Sequence, residues 1–277
     1  MPEKYDIQPG QSIELLKELH ILTRDRKMNQ DSRRKLKQVY HLFQFIEPLL
    51  KEIQLDHPDI TLVDHGAGKS YLGFILYDLF FKGRESGSRI FGIETRDELV
   101  KRSRALAERL AFPGMSFLRL SVAESITSAA LPETVDMVTA LHACDTATDD
   151  AINFALRKQA RFIVLVPCCQ AEVAAALRKN KASSLARSSL TEIWRHPLHT
   201  REFGSHITNV LRCLQLEAHG YQVNVTELVG WEHSMKNELI IASYKNLPRK
   251  RPAERLRELI GMLGLDDLNQ RFFTTPL

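Results

Sequence analysis

The alternation of apolar and polar positions divides the chain into a helical start, a long mixed middle and a shorter end. Residues 13–22 carry apolar side chains at helical spacing and predict a short amphipathic helix. A longer helix is predicted over 31–55, with Asp31 as its N-cap and one apolar face built from Val39, Leu42, Phe43, Ile46, Leu49, Leu50 and Ile53. Pro48 predicts a kink in it. From residue 60 short β-branched runs replace the helical period and predict strands at 60–64, 89–94, 116–120, 135–141 and 162–167. Helices are expected between them near 70–82, 96–111, 148–158 and 170–180. A helix near 206–219 and strands at 221–229 and 238–244 complete the pattern. The linker between these last strands is too short for a crossover helix, so they are expected to pair antiparallel. The expected fold class is α/β: a mostly parallel, Rossmann-like, seven-stranded sheet closed by an antiparallel hairpin. Residues 1–55 form an N-terminal helical extension in this reading, 56–247 the main domain, and 248–277 a basic C-terminal tail.

Composition adds exclusions. A chain of 277 residues with 44% hydrophobic and 26% charged positions is neither disordered nor collagen-like. Its densest apolar stretch, 71–81, contains Asp78 and is closed by Lys82, too short to cross a bilayer. No apolar leader is visible at the start, so a cytoplasmic address is expected and no membrane partner. The cysteines at 144, 168, 169 and 213 show no Cys-x-x-Cys spacing and are expected to be reduced thiols. Net charge is +4, yet 24–37 and 245–257 each carry +5, leaving −6 elsewhere. Such segregation suits a polyanionic partner such as RNA, with Arg33, Arg34, Lys35, Arg249, Lys250 and Arg251 as candidate phosphate contacts; solvated helix faces are the plain alternative.

The strongest chemical signal is Asp64-His65-Gly66-Ala67-Gly68-Lys69-Ser70, a strand entering a glycine turn before a helix. Glycine lets the backbone turn tightly and approach a ligand. A phosphate-cradling Walker loop needs glycine where Val63 stands, and a dinucleotide fingerprint needs one where Tyr71 stands. S-adenosylmethionine, which has no pyrophosphate, remains. Gly66, Ala67 and Gly68 would give it room, and Asp64 would serve its ammonium group. Glu94, at the end of the second strand, offers a carboxylate to both ribose hydroxyls. Ser121, Val122 and Ala123, after the third strand, would meet the adenine.

Two peptides follow strands four and five: Leu141-His142-Ala143-Cys144-Asp145 and Pro167-Cys168-Cys169-Gln170. Ligands of open α/β sheets bind beyond the carboxyl ends of strands, so both are expected to face the methyl donor. His142 is the candidate general base and a cofactor neighbour, with Asp145 orienting it or acting itself. Cys168 and Cys169 are candidate nucleophiles, small apolar lining being the alternative. A zinc site fits poorly, because adjacent cysteines diverge, and no metal is assigned. Thr148 and Asp149 are read as the cap of the next helix. Trp194, Arg195, His196, His199, Arg201 and Phe203 form an insert able to stack on a base or to pack as a lid.

Together, Asp64 to Lys69, Gly92-Ile93-Glu94, Leu141 to Asp145 and Pro167-Cys168-Cys169, with the basic stretch 27–35, resemble a methyltransferase-domain family. Its members occur alone in bacteria and, in animals, as the methyltransferase part of the glutathione S-transferase C-terminal-domain-containing protein. The resemblance spans about residues 25–245. It implies a class I S-adenosylmethionine-dependent methyltransferase, whose sheet also ends in an antiparallel hairpin. Relatives often show glycine where this chain has Asp145. RNA is the expected acceptor; a protein or small-molecule acceptor, or a binding module without turnover, are the alternatives.

Overall fold

Each strand expected in the middle segment is found as a strand in the computed structural model. It describes residues 7–23, 25, 28–84, 87–141, 143, 145–167, 170–179, 189–228 and 238–273. Two helices open the chain, α1 (Ile13–Glu18) and α2 (Gln30–Asp56). Alternating units follow: β1 (Thr61–His65), α3 (Tyr71–Leu76) with a π turn at Tyr77–Phe81, β2 (Arg89–Glu94), α4 (Asp97–Arg109), β3 (Met115–Arg119) and α5 (Val122–Thr127). Next come β4 (Met137–Leu141), α6 (Thr146–Arg157), β5 (Phe162–Val166), α7 (Glu172–Lys179) and α8 (Pro197–Ala218). The chain ends with β6 (Tyr221–Glu227), β7 (Glu238–Tyr244), α9 (Lys250–Leu263) and α10 (Asn269–Phe272).

The seven strands lie in the order β3-β2-β1-β4-β5-β7-β6. β1 to β5 are parallel, while β7 runs antiparallel to both β5 and β6. This is the expected sheet with its closing hairpin. Strand order reverses between β1 and β4, the place where such sheets open a crevice for ligands. Successive side chains serve opposite faces. In β5, Phe162, Val164 and Val166 join the core under α1 to α4, whereas Ile163 and Leu165 join the one under α6 and α8.

Several local readings are corrected. The N-cap of α2 is Asn29, whose side chain accepts from the Ser32 amide, so the helix starts before Asp31. Pro48 lies within α2 without ending it. α1 stops at Glu18, four residues early. Thr148 and Asp149 are not caps: both lie inside α6, where Asp149 is buried against Arg212. α8 begins at Pro197, nine residues before the expected start, so His199, Arg201 and Phe203 of the aromatic insert lie in its first turns, with Trp194 and Arg195 in the 3-10 turn before it. There Trp194 packs edge-on against Phe203 and both rest on the α7–α9 cluster, the lid-like arrangement. The basic tail folds back as α9, which buries Leu256, Ile260 and Leu263 against α7 and α8.

The ends of the sheet are also tied. Glu52 and Asp56, in the last turns of α2, pair with Arg161, and Glu52 also holds Lys245 at 3.2 Å. At the β3 edge, Arg104 of α4 donates two bonds to the Phe117 carbonyl, at 2.8 and 2.6 Å. No helix among the described residues is long and apolar enough to cross a membrane.

Candidate cofactor cleft and active site

The glycine turn is built from both neighbouring strands. Gly66 and Gly68 adopt φ of +66° and +58°, a left-handed conformation that side chains with a Cβ resist. The Ala67 amide donates to the Ile93 carbonyl of β2 at 2.9 Å, pinning the turn to the next strand. Beneath it Asp64 is buried and accepts from Thr139 Oγ1 at 2.8 Å and Ser70 Oγ at 3.3 Å. Burial pushes the Asp64 carboxyl up to about 6, against the pull of those two hydroxyls. Asp64 therefore braces the turn from below.

Glu94 closes the arrangement from β2. Its Oε2 accepts from the Gly68 amide at 2.9 Å, so the acid and the glycine turn are directly joined. The Arg96 side chain lies across the same carboxylate, with Nε on Oε1 and Nη2 on Oε2, each at 3.1 Å. Burial alone would raise the Glu94 pKa; Arg96 and the Gly68 amide outweigh it and hold it down at about 2. The carboxylate is ionised at neutral pH and lines the cleft with both oxygens engaged, so a vicinal diol would bond beside Arg96 or displace it.

The cleft itself measures about 770 Å³ and opens between β1, β2, α5 and α6. Gly66, Glu94, Ser121, Val122 and Ala123 all line it, so the structure gathers these residues from three strand ends. Ser121 caps α5 in a reciprocal box with Glu124, which fixes the loop but occupies its hydroxyl. The cleft is of a size that takes an adenosine, and a Cβ on Gly66 or Gly68 would stand in ordinary contact, at 3.8 Å, with Ala143 and the Arg96 guanidinium of its wall.

Asp145 has a different occupation from the one expected. Its backbone takes φ +50°, ψ −122°, a conformation natural to glycine and strained for aspartate. Its Oδ1 accepts from the amides of Ala171 and Glu172, at 2.9 and 3.2 Å, and so caps the start of α7. Its carbonyl accepts from Arg212 at 2.8 Å. Arg212 is fully buried and also grips both oxygens of Asp149, each at 2.7 Å. A chain of contacts thus locks the carboxyl ends of β4 and β5 together. His142, Cys144, Cys168 and Cys169 lie outside the described residues.

Sequence reading missed Arg96 and Arg212. An arginine two residues beyond the strand-end acid was the one visible signal for Arg96; Arg212 meets Asp149 from 63 residues away, which no local pattern encodes. The basic candidates separate. Arg33 and Arg34 sit in the first turns of α2, where Ser32 contacts the His20 carbonyl and Leu19 faces Lys69 across a groove of about 140 Å³, beside the glycine turn. Arg249, whose guanidinium reaches Tyr244, begins α9 at the opposite end of the sheet with Lys250 and Arg251.

Comparison with known proteins finds one family model and a set of distantly similar solved structures. A family model described as "Methyltransferase domain" matches residues 34–176, just over half of the chain. No protein of curated function matches. The magnesium protoporphyrin IX methyltransferase of Synechocystis, solved with bound SAM, is 13% identical, covering 85% of this chain and 93% of that one at a TM-score of 0.47. An rRNA methylase from Streptococcus thermophilus is 8% identical, covering 69% and 88% at a TM-score of 0.42. With a family match over more than half of its length and the seven-stranded sheet described above, the chain belongs to the methyltransferase-domain family, the S-adenosylmethionine-dependent enzymes of class I fold.

Proposed function

We propose that this protein methylates RNA, holding S-adenosylmethionine in the cleft beneath Gly66 and Gly68. The observation that carries the cofactor placement is the Glu94 carboxylate, ionised, fixed by the Gly68 amide and facing a cleft of adenosine size. When bound, the cofactor supplies a sulfonium methyl group, already an electrophile. The protein then has to align the acceptor, exclude water and take up a proton. Glu94 receives the ribose hydroxyls, and Ser121, Val122 and Ala123 border the base. Asp64 supports the turn beneath the cofactor's amino-acid end. Asp145 ties the β4 and β5 loops, leaving His142 as the candidate for proton removal and Cys168 and Cys169 as candidate nucleophiles.

Glu94→Ala is expected to weaken adenosylhomocysteine binding by about 1.5–3 kcal/mol, the usual loss for charge-assisted hydrogen bonds, while the fold stays intact. Calorimetric titration checks this, and unchanged affinity would reject the ribose placement.

The RNA reading rests on the first basic cluster, which shares an edge of the molecule with the glycine turn. The second is remote: Glu52 contacts Lys245, and Arg33 lies 19 residues earlier on the same helix, about 28 Å away at 1.5 Å per residue. Replacing Arg33, Arg34 and Lys35 is therefore expected to reduce the slope of log K against log [salt] by roughly one unit per lost phosphate contact. Replacing Arg249, Lys250 and Arg251 should change it less, and cofactor affinity should not move. Absence of RNA binding near about 50 mM salt, or an unaltered slope, would end this reading.

One observation favours a second acceptor class. A pocket of about 330 Å³ beyond β5 to β7 is lined by Glu202, His206, Glu227 and Glu238, a surface that repels phosphate and suits an amine. Mass analysis of nucleosides and of small amines from a deletion strain separates the two: a missing methylated nucleoside supports RNA, a missing methylamine the alternative.

A further inference from the structure

The cofactor cleft carries a second acid. Asp150 and Asn153 stand three residues apart on α6 and both line the cleft, where α6 packs against α5 and the 121–123 stretch borders the same space. The Asp150 side chain is 41% exposed, so a ligand can reach it. Its ion-pair partner among the described residues is Arg271 of α10, whose Nη1 stands 3.5 Å away, while the two hydrogen bonds of Arg271, at 3.1 and 3.0 Å, go to Glu172. No hydrogen bond among the described residues reaches the Asp150 carboxylate. Burial pushes its pKa up against the pull of Arg271, and the nearby Asp149 and Glu172 add to the rise, the mark of a carboxylate short of donors. Asn153 is set differently. Its Oδ1 accepts from Arg157 Nε at 3.4 Å, which orients the carboxamide and leaves Nδ2 to donate. The other polar groups of the cleft are engaged: Glu94 with the Gly68 amide and Arg96, and the Ser121 hydroxyl with Glu124.

Residues three apart on a helix are surface neighbours, with Cβ atoms about 5–6 Å from each other, so their side chains can converge on two adjacent atoms of one ring. An acceptor beside a donor is the complement of the amine edge of adenine, whose exocyclic amine donates and whose adjacent ring nitrogen accepts. With the ribose held by Glu94 on β2, the base extends toward the α5 and α6 side of the cleft. We propose that Asp150 and Asn153 are specificity-determining residues that read the adenine of the cofactor, Asp150 accepting from the exocyclic amine and Asn153 Nδ2 donating to the ring nitrogen beside it. A base with a carbonyl and a ring N–H at those places inverts both bonds. It sets an acceptor against the carboxylate and a donor against the carboxamide N–H, so both are left unpaired. This inference rests on the cofactor reading given above.

Calorimetric titration of adenosylhomocysteine and of S-inosylhomocysteine, which carries that inverted edge, tests it in the wild type, Asp150→Asn, Asp150→Leu and Asn153→Leu. The wild type is expected to prefer adenosylhomocysteine about tenfold to a hundredfold, the size of one lost charge-assisted hydrogen bond. Asp150→Asn can turn either the oxygen or the nitrogen of its carboxamide to the base, so it should bind S-inosylhomocysteine better than the wild type does and keep little preference. Asp150→Leu should weaken adenosylhomocysteine about tenfold and leave S-inosylhomocysteine no weaker, and Asn153→Leu should weaken adenosylhomocysteine about fivefold. A wild type that binds the two compounds equally, or an Asp150→Asn protein that keeps the wild-type preference, would overturn the assignment. Equal weakening of both compounds in Asp150→Leu, the pattern of an acid that holds the ammonium end or only braces the fold through Arg271, would overturn it too. A wild type that binds neither compound would overturn the cofactor reading itself.

Discussion

Arg212→Met is expected to lower the stability of the fold by about 3–5 kcal/mol, because it leaves the Asp149 carboxylate buried and uncompensated. Arg212 has no exposed surface, Asp149 has 4%, and the two share two bonds of 2.7 Å. The loss would also strip the Asp145 carbonyl and the Asn209 side chain of a donor. Asp149→Leu should cost a similar amount for the mirror-image reason. The double variant, with Arg212→Met and Asp149→Leu together, should regain most of the loss, since an apolar pair of similar volume needs no desolvation. Urea denaturation of the three variants measures this; a single variant as stable as wild type would mean that water reaches the pair.

Gly66→Val and Gly68→Val are expected to abolish measurable adenosylhomocysteine binding in a protein that still folds. A branched residue at a left-handed φ costs roughly 1–2 kcal/mol, which a fold of ordinary stability survives. A Cβ there already stands at 3.8 Å from Ala143 for Gly66 and from Arg96 for Gly68, two residues of the cleft wall, so the added methyl groups take up space at that wall. Binding by calorimetry and melting by circular dichroism are read together. A folded Gly68→Val protein that binds normally would sink the assignment of the turn.

The strands were legible because each is a compact β-branched run ended by a break in pattern. β2 and β7 occupy the expected residues, and the other strands shift by a few positions at their ends. Helix starts were less legible. Asn29 and Asp31 are both good cap types, and the carboxamide of Asn29, which accepts from the Ser32 amide three residues on, marks the start. The first turns of α8 carry histidines and aromatics that read as a loop until Trp194 and Phe203 find each other. In 248–277 the charges drew attention away from Leu256, Ile260 and Leu263, whose spacing already described an amphipathic helix. At the site, Gly66, Gly68 and Glu94 announced themselves by type and spacing. Arg96 and Arg212 did not: their significance lies in what stands opposite them, and for Arg212 that partner is distant in sequence.

The capped edge of the sheet bears on how these molecules behave toward one another. β3 and β6 are its two borders, and a strand from a second copy can in principle add to either. In the parallel ladder the Phe117 carbonyl of β3 points away from β2, and Arg104 covers it with two bonds. At the other border β6 presents an exposed Val225 and no lysine or arginine. A strand arriving at the β3 border has to displace a guanidinium that is already bonded, whereas at the β6 border the strand itself carries no cation to oppose one.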